Sequence, residues 1–275
     1  MKKIVLAGNA LVPNEIFLNN LVPVLHDRIA GILVSTKISP SNPLETLRYT
    51  WRMFSTSGFR YGLYMMALWL APKFRLGPTR QLLSIDKLGA RYGVPVIKEP
   101  NFNSDKTQRI LEGLKCDGLL SFYCDQIFSR DMINRSSFGM FNIHPSPLPD
   151  FRGIDPVFQQ ILNKMNSAGI TLHEITPGID EGPILESETT QKGFTNHLAM
   201  VVHLANRASV LAGRWIRNGS PLPTSQNSAK IEYPYSSWPS RKQVGQFYRN
   251  GGSLWQDIGL PAVGLEELKE GTNRD

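Results

Sequence analysis

Acidic residues are the minority charge in this chain, cysteine is nearly absent, and no apolar run is long enough to cross a bilayer. Lys and Arg outnumber Asp and Glu by 30 to 23, a net charge of +7. That balance favours anionic ligands, from nucleotide-linked molecules to RNA or a membrane surface, without choosing among them. Only Cys116 and Cys124 occur, which excludes a disulfide framework and leaves buried free thiols in a reducing cytoplasm as the expectation. No His/Cys/Asp cluster has ligand spacing, so no metal is expected. The most apolar stretch, YGLYMMALWLA from Tyr61 to Ala71, is bounded by Arg60 and Pro72. It is far shorter than the roughly 20 residues that a spanning helix needs, so no membrane span is expected. The opening MKKIVLAGNA is interrupted at Asn9, which suits a first buried strand better than a signal peptide. Internal repeats and low-complexity tracts are also missing.

What is present is an ordinary globular composition, 41% hydrophobic over 275 residues. Short apolar runs alternate with helix-length segments, the pattern of an α/β, Rossmann-like, mostly parallel sheet with crossover helices. Strands are predicted over Lys3–Ala7, Ala30–Ser35, Val94–Ile97, Gly118–Tyr123, Met140–His144, Thr171–Ile175 and Ile184–Thr189. Helices are predicted over Asn14–Leu25, Thr46–Phe54, Gly62–Leu70, Arg80–Tyr92, Ser104–Leu114, Phe128–Asn134, Asp155–Met165 and Asn196–Arg217. The character changes near residue 190, so residues 1–190 are expected to form the main domain and 191–275 a small C-terminal α+β domain. Within the first, about 37–80 reads as a helical insertion, longer than such a connection usually needs. From Lys37 to Arg91 only Glu45 and Asp86 oppose nine basic residues. This is either a solvated helical face or a docking surface for an anionic substrate.

The chemistry-bearing region is Phe141 to Gly182. In Phe141-Asn142-Ile143-His144 apolar and polar residues alternate at a strand's C-terminal end, so Asn142 and His144 share a face. The carboxyl edge of a parallel sheet is where α/β proteins bind ligands. Pro145, Pro147 and Pro149 enforce an extended loop, and 36 residues beyond His144 stands Asp180, between Gly178 and Gly182. Amide, imidazole and carboxylate together form a kit for stabilising an oxyanion and moving a proton. His26, His197 and His203 read as structural or solvated, and His173 as mainly structural.

The segment NIHPSPLPDFRG, followed at this distance by GIDEGPIL, resembles the formyltransferase family that uses 10-formyltetrahydrofolate. That family includes glycinamide ribonucleotide transformylase, methionyl-tRNA formyltransferase and sugar N-formyltransferases. The resemblance implies that Asn142 holds the formyl oxygen, His144 takes the amine proton and Asp180 supports the imidazole. It implies a folate pocket at Gln126, Ile127, Phe128 and Leu148, with Ile175, Pro177, Gly178 and Ile179 on the facing loop. The expected reaction is formyl transfer to a primary amine, with an amino sugar on a nucleotide carrier as the leading acceptor. Methionyl-tRNA formylation and hydrolysis of the folate are kept as alternatives. Two departures stand out. Pro147 replaces a common Leu, and Gly8-Asn9-Ala10 lacks the Gly-Ser-Gly phosphate cradle of the purine enzyme, which argues against glycinamide ribonucleotide. Asp155 is either the cap of the following helix or a partner for the acceptor. Insertion and tail are both apolar enough that a homodimer through either is an open expectation.

Overall fold

Strand and helix alternate along much of the chain. The computed structural model describes residues 3–38, 42–190, 193–218 and 231–255. In order, the elements are β1 (Ile4–Gly8), α1 (Val12–Leu25), β2 (Ile29–Ser35), α2 (Pro43–Ser57), α3 (Phe59–Phe74) and α4 (Ile85–Tyr92). Next come β3 (Val96–Glu99), α5 (Asp105–Gly113), β4 (Gly118–Phe122), α6 (Arg130–Arg135), β5 (Gly139–His144) and α7 (Pro156–Leu162). The remainder is β6 (Ala168–Glu174), β7 (Ile184–Thr190), α8 (His197–Asn218) and α9 (Arg241–Arg249). The strands form one seven-stranded sheet in the order β3-β2-β1-β4-β5-β6-β7. The first five run parallel, while β6 and β7 pair antiparallel at one edge.

Period-2 alternation sorts the side chains to two cores. Ile4 and Leu6, Ile32 and Val34, Leu120 and Phe122, and Ile143 face α1, α7 and α8 in the larger core. Val5 and Ala7, Leu33, Leu119 and Met140 face the opposite way, against Phe102, Leu111, Phe128 and Met132. Complete burial of a side chain such as Leu33 contributes about 1.5–3 kcal/mol, and substituting it with Ala would remove that and open a cavity. On β5 the same alternation sends Phe141 and Ile143 to the larger core and leaves Met140, Asn142 and His144 on the other face.

Several boundaries differ from expectation for local reasons. The helix expected from Arg80 begins at Ile85, where the Ser84 side chain caps the Lys87 amide. The third strand begins at Val96 because Pro95 cannot donate to the ladder, although its carbonyl accepts from Ile32 N at 2.8 Å. The α9 helix was not anticipated. Its signal was the capping box that Ser240 forms with Gln243, a Ser-x-x-Gln pattern readable in sequence.

The segment at 37–80 contributes α2 and α3. Arg75, the left-handed C-cap of α3, grips Glu15 of α1 through both carboxylate oxygens at 2.6 and 3.0 Å. The described residues after α7 also pack on the main body. Trp215 of α8 meets Phe141 at 4.8 Å between rings, and Phe247 of α9 stacks on Phe158 at 4.7 Å. Residues 233–236 strap the 151–154 turn through Phe151 N to Tyr233 O, Ser236 N to Arg152 O and Ile154 N to Ser236 O. Gly153 is required there, with φ of +98° and no room for a Cβ, which would sit 2.3 Å from Ser236 O. Among the described residues no helix is long and apolar enough to cross a membrane. Both cysteines are free and half-buried rather than fully buried, and burial pushes the Cys124 thiol up to about 12.

Candidate active site at the carboxyl edge of the sheet

Strand register, more than any loop, assembles the polar cluster. Asn142 pairs in register with Ser121 of β4 on one side and His173 of β6 on the other. Residues abreast in neighbouring strands project to the same face and meet, so three polar side chains form a row. Ser121 Oγ–H donates to Asn142 Oδ1 at 2.7 Å, and the Asn142 amide nitrogen lies 3.1 Å from His173 Nε2.

The direction of that second bond follows from the backbone. His173 Nδ1 sits 2.8 Å from Glu174 O, a carbonyl that can only accept, so Nδ1 carries the hydrogen and Nε2 accepts from Asn142. Burial, and next the neighbouring His144, depress the His173 pKa to about 4, with Asp180 opposing. A neutral His173 thereby fixes the Asn142 amide, with its oxygen toward Ser121 and one N–H left for a ligand.

His144 occupies the next position on the same face. Its Nε2–H donates to Phe151 O at 3.0 Å, leaving Nδ1 toward Asp180 Oδ1 at 3.5 Å. Asp180 Oδ1 also lies 3.7 Å from His173 Nε2, and its second oxygen accepts from Gly153 N at 2.9 Å. The carboxylate thus sits between two imidazoles at charge-contact distance, pinned by a backbone amide. Its loop needs both flanking constraints: Asp180 is left-handed at φ +53°, and a Cβ on Gly182 would lie 1.8 Å from Glu174 O. Arg152 pairs with Glu181 alongside.

The structure therefore brings Asn142, His144 and Asp180 together. It adds Ser121 and His173, which sequence reasoning missed as functional. Ser121 had a readable signal, as the one polar residue in an otherwise apolar strand, GLLSF.

The residues expected at a folate pocket divide into two groups. Gln126 is buried, its Oε1 accepting from Phe102 N at 2.8 Å and its Nε2 donating to Ser35 Oγ at 2.7 Å. Phe128 stacks on Phe102, so both support the loop from below. Ile127 and Ile179 are exposed, at 66% and 38%, and offer apolar side chains from the two loops. Leu148 is buried, its amide donating to Thr171 Oγ1 at 3.0 Å. Ile175 lies beside Met140, to whose carbonyl its N–H donates at 2.8 Å. That level is four residues back along β5 from His144, about 13 Å at the usual strand rise. Pro177 and Gly178 lie between Ile175 and Asp180 on the same loop.

Asp155 does more than cap α7. One oxygen accepts from Phe158 N at 3.1 Å and from His197 Nε2 at 2.9 Å, and the other accepts from the Tyr61 hydroxyl. Tyr64 in turn donates to His197 Nδ1 at 2.6 Å. Burial alone would raise the Asp155 pKa, but the adjacent His197 and three hydrogen bonds outweigh it and the carboxyl lies below its usual range. All these donors come from inside the protein.

The fold and this edge define a class: a Rossmann-like α/β protein with an Asn-x-His pair on the fifth strand and a carboxylate delivered from a later loop. Residues 90–192 match the family model described as formyl transferase. The chain is 37% identical over 102 residues to the bifunctional polymyxin resistance protein ArnA of Wigglesworthia glossinidia brevipalpis, covering 37% of this chain and 16% of that protein. It is 32% identical over 122 residues to the methionyl-tRNA formyltransferase of Prochlorococcus marinus, covering 44% of this chain and 35% of the relative. The chain thus spans little more than a third, or less, of these relatives' lengths. In fold it is similar to the N-formyltransferase of Helicobacter canadensis, solved in complex with folinic acid and dTDP-3-aminofucose. The TM-score is 0.54 at 15% identity, over 96% of this chain and 85% of that one.

A pH prediction arises from His173. Below pH 6.5 the unfolded chain protonates this residue, while the folded protein refuses the proton until about pH 4. The unfolded state therefore binds more protons across that window, and stability should fall as pH is lowered through it. Denaturant midpoints measured from pH 7 to 4 should show this slope, and His173→Gln should flatten it. An unchanged slope in that variant would refute the neutral, buried state.

Proposed function

We propose that this protein transfers a formyl group from 10-formyltetrahydrofolate to the primary amine of a small acceptor, with an amino sugar on a nucleotide carrier as the leading case. The observation that carries the reading is the fixed Asn142 amide beside His144 and Asp180, on a face whose loops present Ile127 and Ile179. The amine nitrogen attacks the formyl carbon, and the free Asn142 N–H stabilises the oxygen as it becomes an oxyanion. His144 Nδ1, the ring nitrogen not engaged by Phe151, accepts the amine proton, and Asp180 compensates the resulting imidazolium. Collapse of the tetrahedral centre expels the folate nitrogen, which takes up the proton. Ile127 and Ile179 give a flat heterocycle apolar walls, and Leu148, Pro177 and Gly178 complete the expected pocket.

The Helicobacter protein's sugar-nucleotide ligand supports the choice of acceptor class. The test is formyl transfer from 10-formyltetrahydrofolate to a panel of nucleotide-linked amino sugars, free amino sugars and charged methionyl-tRNA. Turnover with a nucleotide-linked amino sugar, tenfold or more above free amines, is the expected result. Formylation of tRNA alone, or release of formate without an acceptor, would replace this reading.

A further inference from the structure

Helix α3 is apolar around its circumference, yet only one side is covered. Tyr61, Tyr64 and Leu68 are buried, whereas Phe59, Leu63 and Phe74 are 69%, 45% and 60% exposed. On α2, Leu44, Leu47 and Trp51 are 69%, 67% and 75% exposed. Their i, i+3, i+7 spacing places them on one helix face. Arg48 and Arg52 are exposed on the adjoining strip, with Arg60 and Lys73 exposed on α3. Glu45, paired with Arg48, is the only acid on either helix.

We propose that the α2–α3 hairpin docks this protein on an anionic phospholipid surface, with its Leu, Trp and Phe side chains in the headgroup layer and its arginines on the lipid phosphates. Exposed large side chains in such number exceed what a soluble surface carries singly. An apolar stripe of Trp, Phe and Leu flanked by Arg is the composition of helices that lie in a membrane interface. Charge complementarity selects this occupant over a second copy of the chain. A two-fold contact sets the same patch against itself, which would oppose arginine to arginine with only Glu45 to relieve it. RNA would satisfy the arginines but leave Leu44, Leu47 and Leu63 without a use. The inference stands independently of the formyl-transfer reading.

Sedimentation of the full chain with vesicles tests it. Vesicles of phosphatidylcholine alone are compared with vesicles containing phosphatidylglycerol as about one third of the lipid. Partitioning should be at least about tenfold stronger on the anionic vesicles and should weaken as salt is raised. Removing charge with Arg48→Gln and Arg52→Gln should reduce it about fivefold per arginine. Leu47→Ser with Trp51→Ser should reduce it about tenfold or more with an unchanged unfolding midpoint, since both side chains are already in water. No partitioning onto either vesicle, or equal partitioning onto both, would overturn the proposal. So would a solution dimer that Trp51→Glu converts to monomer, or salt-sensitive tRNA binding that the Leu47→Ser, Trp51→Ser variant leaves intact.

Discussion

Replacing His144 with alanine should leave a folded protein whose formyl transfer is slower by at least about 100-fold, the scale of a positioned acid–base group. Asn142→Ala should cost a comparable factor by removing an oxyanion donor. Asp180→Asn is the sharper third variant, since its side-chain oxygen can keep the bond from Gly153 N while the charge between His144 and His173 is lost. The triple replacement should lose far less than the product of the singles, because such groups act as a unit. Single-turnover rates with a formyl acceptor, beside unfolding midpoints, provide the measurement. Near-normal transfer by His144→Ala would remove the proposed mechanism. Ser121→Ala adds a graded check: the hydroxyl only orients Asn142, so turnover should fall while donor binding stays constant.

Asp155→Ala should be among the most destabilising single replacements in the chain. It removes a buried carboxylate that receives Tyr61, His197 and the Phe158 amide, and leaves those donors in a dry interior. Loss of one partner from a buried charged network costs about 3–5 kcal/mol, which corresponds to roughly a 10 °C fall in unfolding midpoint for a chain of this size. Asp155→Asn, which still caps a helix, should recover only part of it. Because the folded carboxyl is held below its usual range, its contribution is present above the ordinary carboxylate pKa and lost as pH falls through the depressed value. Thermal melts decide the matter. An unchanged midpoint with a raised acceptor KM would instead make Asp155 an acceptor contact.

The sheet and the Asn-His-Asp constellation were legible in sequence because both rest on local rules. Seven short runs set between helix-length segments became seven strands, and Asn142 and His144, two apart on one of them, had to share a face. Ser121 and His173 were harder because their relevance comes from register between strands, which no local pattern encodes. The true state of Asp155 was hidden for a similar reason. Its cap was readable from its place before Pro156, but Tyr61 and His197 arrive from distant positions. Gln126 and Phe128 show the converse: a resemblance assigns a loop, whereas packing decides which of its side chains face inward.

The chain of hydrogen bonds through Tyr64, His197 and Asp155 also has a consequence for synthesis. Tyr64 and His197 are 133 residues apart, and a nascent polypeptide emerges amino end first. The α2–α3 hairpin therefore leaves the ribosome long before its hydroxyls have anything to bind. The Tyr64–His197 contact can form only once α8 has been made, whereas the Tyr61 hydroxyl meets Asp155 already at the start of α7. Contacts between residues so distant in sequence form more slowly than a local helix, so full seating of the hairpin is expected to wait for α8.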